Sequence, residues 1–289
     1  MGETLVPEEA NIRCAKCNSS FPVRHHVPLL TPEPVKHLRR IEALSVEKPG
    51  WYRKKQIEYH DKGPYRVHLK RRQDYVGNVL KTIIAQTHMD AVISQARMLD
   101  LGCGDGANLR WLKDFGFLLY GLDYNLERAA RARRVIPPEV RIALADILHL
   151  PIRARAFHFV YCNHVLEHIH DDRQALENIH RILAPGGILI LGVPNEGAEW
   201  WQLAFKLEPE SLAESDHVHF YTGRSLADLG EGVGFKVLEL KYMGYGLPHW
   251  SADSIFRGMA GMDDLMEELG QRFFPDQASS MYLILQKEQ

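Results

Sequence analysis

The residues best suited to chemistry lie in a glycine-rich stretch at positions 100–106. A short apolar run precedes the stretch, and Leu109, Trp111 and Leu112 follow it at helical spacing. This order predicts a strand, a tight loop and a helix, which together open a βαβ unit. Because glycines let a ligand approach the backbone closely, the stretch predicts a ligand-binding loop.

Two kinds of ligand could occupy this loop. Gly102, Gly104 and Ala107 satisfy the dinucleotide fingerprint G-x-G-x-x-A. Asp100 and Asp105, however, would place negative charge where a pyrophosphate must sit. The ammonium and sulfonium groups of S-adenosylmethionine would gain from those acids, so we favour this cationic ligand. A glycine turn in another kind of α/β enzyme is the alternative.

The spacing D-x-G-x-G-x-G over residues 100–106 resembles motif I of the class I S-adenosylmethionine-dependent methyltransferases. Asp123 follows about 20 residues after the loop, where an acid can bind two ribose hydroxyls, although nucleotide dehydrogenases also place one there. The resemblance implies that Asp146, at the next strand end, accepts from the adenine amino group and that the backbone N–H of Ile147 meets the ring. The predicted cofactor-binding residues are Asp100, Gly102, Gly104, Gly106, Asp123, Asp146, Ile147 and Asn163.

A second cluster, His164-x-x-Glu167-His168, follows the fourth predicted strand, at the sheet edge where α/β folds place chemistry. Residues 98–195 resemble the small-molecule methyltransferases that include the ubiquinone-pathway O-methyltransferases, in which a Glu-x-x-Glu-His run here can hold a divalent metal. His164 replaces the first glutamate, which disfavours magnesium but would permit zinc or iron. We favour a structural role without metal for Glu167 and His168. Base catalysis by His164 or His168, and a metal at Glu167 and His168, are the alternatives.

Two features downstream point to the acceptor. An aromatic insertion that contains Trp200 and Trp201 is expected either to roof a pocket for an aromatic or lipid-like acceptor or to fill core or dimer contacts. His217 and His219 alternate, so they share one side of an extended chain. One of them could act as a base, with a hydrogen-bonded structural histidine as the alternative. The candidate catalytic residues are His164, His168 and His219.

The first part of the chain carries a cysteine pair, Cys14 and Cys17. The pair resembles the second half of the small zinc ribbons that precede or activate some methyltransferases, but the first half is missing. A closed zinc site needs four ligands, and only the adjacent His25 and His26 lie nearby. We therefore expect a metal-free remnant, with zinc at Cys14 and Cys17 as the alternative.

Composition limits the remaining possibilities. The 289 residues carry a formal net charge of -2, which gives no general bias toward nucleic acid or anionic membranes. Basic residues concentrate between positions 36 and 74, but interspersed acids favour a solvated helical face over an RNA-binding one. Four cysteines without a disulfide pattern, no signal-like start and no long apolar run predict a cytoplasmic protein without a membrane span.

Short apolar runs alternate with amphipathic helices, which is typical of a doubly wound α/β fold. The resemblance implies a Rossmann-like sheet of seven mostly parallel strands with a reversed C-terminal hairpin. We divide the chain into a zinc-ribbon-like N-terminal remnant (1–35), a helical basic segment and lid (36–95) and a methyltransferase domain (96–289).

Taken together, these features predict an S-adenosylmethionine-dependent methyltransferase that acts on a small molecule. The many histidines near the predicted pocket favour an oxygen acceptor, because a hydroxyl benefits from a base. An RNA methyltransferase, acting on tRNA or rRNA, and a non-catalytic cofactor-binding regulatory subunit are the alternatives. A homodimer is a further possibility that the sequence leaves open.

Overall fold

A computed structural model describes residues 11–15, 18–47, 66–210, 216–257, 259 and 261–288. Cys17 lies outside the described residues, as does the stretch 48–65 within the predicted lid. None of the described helices is both long enough and apolar enough to cross a membrane.

The eleven described strands are β1 (Ile12–Arg13), β2 (Ser20–Phe21), β3 (Val23–Arg24), β4 (Val27–Pro28), β5 (Arg97–Leu101), β6 (Leu118–Asp123), β7 (Arg141–Leu144), β8 (Phe157–Asn163), β9 (Leu183–Pro194), β10 (Phe235–Met243) and β11 (Ser280–Lys287). Seven of these strands form one sheet, in the order β10-β11-β9-β8-β5-β6-β7.

The sheet confirms the predicted Rossmann-like topology. Strands β9, β8, β5, β6 and β7 run parallel, while β11 pairs antiparallel with both β9 and β10. The order reverses between β5 and β8, because β6 and β7 lie on one side of β5 while β8 and β9 lie on the other. In such sheets ligands bind beyond the carboxyl ends of the strands at the reversal.

Helices cover both faces of the sheet and leave two buried apolar clusters, one on each side. Helix α5 packs an apolar stripe that includes Leu176 and Ile179 against one face. The described α-helices are α1 (Pro34–Glu47), α2 (Arg66–Gln86), α3 (Leu109–Leu112), α4 (Leu126–Val135), α5 (Asp172–Ile182), α6 (Glu199–Leu207), α7 (Gly223–Val233), α8 (Trp250–Arg257) and α9 (Met262–Phe273).

Local side-chain contacts set the helix starts. The side chains of Asn125, Asp171 and Thr222 each accept a backbone N–H in the first turn of the helix that follows. Thr222 also forms a reciprocal capping box with Ser225 at the start of α7.

Two strand ends have identifiable causes. Strand β7 ends at Leu144, and the Asp146 carboxylate caps a short 3-10 turn at Ile147–His149 that follows it. Strand β9 begins at Leu183, which pairs with Phe157 before the register shifts.

The described part of the N-terminal segment is attached to the edge of this sheet. Leu29 forms a parallel bridge with Leu144 of the edge strand β7, and the N–H of Leu30 donates to the carbonyl of Leu144 over 2.7 Å. Val27 and Leu29 are fully or almost fully buried in the same apolar cluster as the sheet. This segment therefore shares its core with the sheet and caps an open edge.

Candidate active site

The glycine loop after β5 has the backbone shape that the sequence predicts. Gly102, Gly104 and Gly106 have φ values of 81°, 55° and 91°, a region that favours glycine. A Cβ atom on Gly102 would lie 2.2 Å from Cγ2 of Val165. The loop is tied to β6, because the N–H of Gly102 donates to the carbonyl of Leu122 over 2.7 Å. The backbone conformation therefore disfavours side chains at these three glycines, and the contact with Val165 excludes one at Gly102.

Two buried carboxylates, those of Asp100 and Asp123, lie next to this glycine loop. The side chain of Asp100 is buried, and neither of its carboxylate oxygens has a hydrogen-bond partner among the described residues. Burial and the neighbouring charge of Asp123 raise the pKa of Asp100 well above its usual value. An unpartnered buried carboxylate is costly, so the site fits a cationic ligand. The ammonium group of S-adenosylmethionine is such a cation, and the fit supports the ligand chosen from the sequence.

Asp123 has a different environment. Its carboxylate accepts the N–H of Gly104 over 2.7 Å and the N–H of Asn125 over 2.8 Å, so it fixes the loop. Burial raises the pKa of Asp123, and the nearby guanidinium of Arg128 partly offsets this effect. Arg128 is buried on α4 and was not anticipated from the sequence. The remaining oxygen lone pairs of Asp123 could still accept ribose hydroxyls.

The other predicted cofactor residues lie at the same edge of the sheet. Asp146 follows β7 and accepts the N–H of Leu148 over 2.9 Å, while Ile147 is buried beside it. Asn163 ends β8, and its buried Oδ1 has no partner among the described residues. A Cβ atom on Gly192 of β9 would lie 2.3 Å from that oxygen. Because β5 to β8 run parallel, their carboxyl ends bring these predicted groups to one edge.

His164 follows directly after β8 in a left-handed backbone conformation, with φ 54°. Its Nδ1 lies 3.2 Å from Oε1 of Glu167, and its Nε2 lies 3.0 Å from Nη1 of Arg72. Glu167 is completely buried. Burial alone would raise the pKa of Glu167, but the hydrogen bond from His164 and the neighbouring imidazoles lower it below its usual value. The pair has the carboxylate–imidazole arrangement of a general base.

His168 lies beside Glu167 and against a third histidine. The rings of His168 and His217 are 4.7 Å apart between centroids and pack edge to face. The Nδ1 of His168 lies 3.2 Å from the carbonyl oxygen of Asp216, and the Nδ1 of His217 lies 2.6 Å from Oε2 of Glu196. Burial lowers the pKa of His168. Burial alone would lower the pKa of His217, but the hydrogen bond to Glu196 and the charges of Glu196 and Glu167 together raise it above its usual value.

The contacts among these side chains also bear on whether the site could hold a metal ion, a question that the sequence left open. One ligand atom from each of Glu167, His168 and His217 lies within 4.8 Å of the others. One carboxylate and two imidazoles would suit zinc or iron better than magnesium. The sequence singled out Glu167 and His168 for a metal but not His217, which lies far along the chain. The alternative zinc site at Cys14 and Cys17 involves a residue outside the described part of the chain.

The His219 side chain contacts the backbone between β8 and α5. Its Nε2 lies 3.0 Å from the carbonyl oxygen of Ile169 and 3.2 Å from that of His170. The neighbouring Tyr221 hydroxyl donates to Asp172 over 2.8 Å. These contacts hold the chain before α7 against the start of α5, and they favour the structural alternative for His219.

Sequence reasoning did not identify Arg72 as part of the site. Its guanidinium extends from α2 and contacts both His164 and the Oγ of Ser280, the first residue of β11. The basic segment 36–74 offered a signal, but nothing local distinguished Arg72 from its charged neighbours. On the other side of the site, Nε2 of His37 in α1 lies 2.8 Å from the carbonyl oxygen of Tyr124, next to Asp123. Helices α1 and α2 thus lie close to both halves of the site.

Comparisons with known proteins agree with this architecture. A family model described as a methyltransferase domain matches residues 70–240. A Mycolicibacterium smegmatis protein described as a probable S-adenosylmethionine-dependent methyltransferase is 27% identical over 140 residues, or 48% of this chain and 52% of that protein. The malonyl-acyl-carrier-protein O-methyltransferase of Enterobacter lignolyticus is 33% identical over 94 residues, or 32% of this chain and 37% of that protein.

The fold is also similar to that of a solved structure. An S-adenosylmethionine-dependent methyltransferase from Mesorhizobium loti superposes with a TM-score of 0.50 at 19% identity, covering 66% of this chain and 90% of that chain. The aligned part of the chain spans about half the length of the first curated relatives.

Proposed function

The chain belongs to the methyltransferase-domain family, and we propose that it transfers a methyl group from S-adenosylmethionine to an oxygen atom of a small-molecule acceptor. The observation that carries the oxygen acceptor is the contact of His164 with the buried Glu167 at the end of β8. That position lies at the reversal of strand order, next to the glycine loop. The oxygen chemistry in the name of the Enterobacter lignolyticus relative supports the same acceptor atom.

The cofactor would be held by the residues at the strand ends. The Asp100 carboxylate would accept the ammonium group, and the glycine loop would follow the amino-acid part of the ligand. Asp123 would bind the ribose, while Asp146 and the N–H of Ile147 would bind the adenine. When bound, S-adenosylmethionine supplies an electrophilic methyl group on a positively charged sulfur. Methyl transfer depends on desolvation and on alignment, and Asp100, Asp123 and Ile147 are buried.

His164 would serve as the base for the acceptor hydroxyl. Glu167 accepts from Nδ1–H of His164, which leaves the lone pair on Nε2. A hydroxyl placed against Nε2 would give up its proton to that nitrogen as the oxygen attacks the methyl carbon. In the structure Arg72 donates to this same Nε2, so its guanidinium would have to move aside before the hydroxyl could reach that nitrogen.

The proposal also includes the cellular compartment of the protein and the class of its acceptor. Cys14, Cys103 and Cys162 are free thiols among the described residues, which fits a reducing cytoplasmic compartment. A small-molecule acceptor is favoured over RNA because the interspersed acids of the basic segment predict a solvated face.

Calorimetry with S-adenosylhomocysteine, followed by release of that product from S-adenosylmethionine with a panel of phenols and hydroxy acids, tests the proposal. His164→Asn keeps a residue type that tolerates positive φ but removes the base. We expect the variant to keep its affinity for S-adenosylhomocysteine and to lose about 100-fold or more in turnover, the usual contribution of a general base.

His88→Asn is the matched control, because His88 also has a positive φ, of 53°, and is exposed. The control should retain full turnover. Unchanged turnover in His164→Asn would remove the base from the proposal. If the native protein does not bind S-adenosylhomocysteine, the proposed methyltransferase activity itself is wrong.

A further inference from the structure

We propose that the acceptor is a hydroxy acid whose carboxylate binds between Arg72 and His68 of α2, beside His164. This inference rests on the proposed function, because it names the acceptor class for the same site. The carboxylate is an anchoring group, separate from the hydroxyl oxygen that takes the methyl group.

The position of Arg72 places a cation over the acceptor half of the site. Nη1 of Arg72 lies 3.0 Å from Nε2 of His164, and Nη2 donates to Oγ of Ser280. Ser280 pairs with Pro194 at the carboxyl end of β9, and the N–H of His164 donates to the carbonyl of Gly192 in the same strand over 2.8 Å. The guanidinium therefore lies over the ends of β8 and β9. The acids Asp100 and Asp123 lie at the carboxyl ends of β5 and β6, on the proposed cofactor side.

His68 provides the second, independent observation. It lies one turn before Arg72 on α2, which places both residues on the same helix face. Its side chain is only 4% exposed, and neither ring nitrogen has a hydrogen-bond partner among the described residues. Buried polar groups without partners are rare in folded proteins, so a ligand group is a physical explanation.

The protonation state of His68 suits this role. Burial, and then the charges of Arg72 and Arg257, lower the pKa of His68 well below its usual value. The imidazole is therefore neutral at pH 7 and keeps one N–H to donate. A Cβ atom on Gly244 would lie 2.1 Å from Cε1 of His68, so this glycine leaves the space that the ring occupies.

Ion pairs on the neighbouring helices hold α2 in place. Arg71 pairs with Asp263 and Asp264, and Arg257 pairs with Asp253 and Asp263. Both pairs of Arg257 are almost completely buried, and the pair with Asp263 joins α8 to α9. Arg71 thereby fixes α2 against α9. This network presents the adjacent Arg72 from a rigid helix, and preorganised groups bind with less entropic cost.

A carboxylate in this position would also prepare the base. In the structure, Arg72 donates to Nε2 of His164, the nitrogen that must accept the hydroxyl proton. A carboxylate carries a full negative charge and can accept two parallel hydrogen bonds from a guanidinium, whereas the neutral imidazole of His164 offers one uncharged acceptor. A bound carboxylate would therefore draw Arg72 toward itself and free Nε2 for the hydroxyl. An acceptor without the anionic group would leave the base occupied.

The test compares 3-hydroxybenzoate with 3-hydroxybenzamide, two probes that share their shape and hydroxyl group but differ in charge. Binding is measured by NMR titration of the full chain saturated with S-adenosylhomocysteine, following the imidazole signals of His68 and His164. We expect the carboxylate to bind about tenfold or more tightly than the amide, as for a hydrogen bond to a charged group. Both imidazole signals should shift with the carboxylate.

Two variants and a control make the test specific. Arg72→Gln should reduce the affinity ratio of the two probes to about one, and His68→Gln should reduce it in part. Lys70→Gln is the matched control, because Lys70 is an exposed cation on the same helix. It should leave the ratio unchanged. If Arg72→Gln does not fold, His68→Gln and the native shifts at His68 still decide the question.

Equal affinity for the two probes, an unchanged ratio in Arg72→Gln or no shift at His68 would overturn the inference. If the carboxylate probe shows no saturable binding up to about 50 mM, the inference is overturned too, because binding weaker than this is not specific. If S-adenosylhomocysteine itself does not bind, the proposed function fails. The probe ratio can then still be measured on the protein without it, so the two failures are distinguishable.

Discussion

Replacing Asp100 with asparagine is expected to change stability and cofactor affinity in opposite directions. The carboxylate is buried, no described residue satisfies its oxygens, and Asp123 lies close enough to raise its pKa further. In the protein without ligand, this group therefore costs free energy, whether it stays charged or takes up a proton at pH 7. With the cofactor bound, the same carboxylate would gain a partner in the ammonium group.

The sizes of the two effects follow from the environment of the carboxylate in the ligand-free and in the cofactor-bound protein. Removing the ionisable group should increase the free energy of unfolding at pH 7 by about 1 kcal/mol or more, the excess cost of burying a charge over a neutral polar group. Loss of a charge-assisted hydrogen bond worth about 1.5–3 kcal/mol should weaken S-adenosylhomocysteine binding by about 10- to 150-fold.

The sign of the pH dependence is fixed by the raised pKa. A carboxyl group whose pKa is higher in the fold than its model value of 3.8 favours folding most below that value. Its contribution is lost as the pH rises from 3.8 toward the higher pKa of the folded state. Asp100→Asn should therefore flatten this part of the stability profile, although the raised pKa of Asp123 retains part of the slope.

Urea unfolding between pH 4 and 8 and calorimetry with S-adenosylhomocysteine measure the two effects. Asp114→Asn is the control, because Asp114 is an exposed acid paired only with Lys113 among the described ion pairs. It should change neither quantity by more than about 0.5 kcal/mol. A variant at Asp100 that is less stable, or that binds the ligand as tightly as the native protein, would refute the assignment of a cation to this carboxylate.

Three further predictions address the sheet edge, the loop and the metal. Leu29→Ala should lower the free energy of unfolding by about 2–5 kcal/mol because it leaves a cavity against β7; Val35→Ala, at an exposed position, should have little effect in the same urea titration. Gly102→Ala should abolish S-adenosylhomocysteine binding in calorimetry, since it combines an unfavourable φ with a clash against Val165; native affinity would contradict the role of the loop. Dialysis against a chelator should leave turnover unchanged if His164 acts as the base, whereas loss of turnover and its recovery with zinc or iron would indicate a metal at Glu167, His168 and His217.

Much of the cofactor half of the site could be predicted from the sequence. Short apolar runs that end in an acid or amide marked β5, β6 and β8, and the glycine spacing marked the loop between strand and helix. Because parallel strands end at one edge of the sheet, the order of these runs was enough to bring Asp100, Asp123 and Asn163 together.

The acceptor half depended on contacts between residues far apart in the chain. Arg72 comes to the site on a helix, α2, that ion pairs of Arg71 attach to the C-terminal helix α9. The residues next to Arg72 in the sequence do not encode that attachment. His217 joins Glu167 because the chain before α7 folds back onto the turn after β8. The docking of Leu29 on β7 depends likewise on the finished sheet edge. Local periodicity specifies helices and strands, whereas the side chains that meet between them are selected by packing and charge pairing in three dimensions.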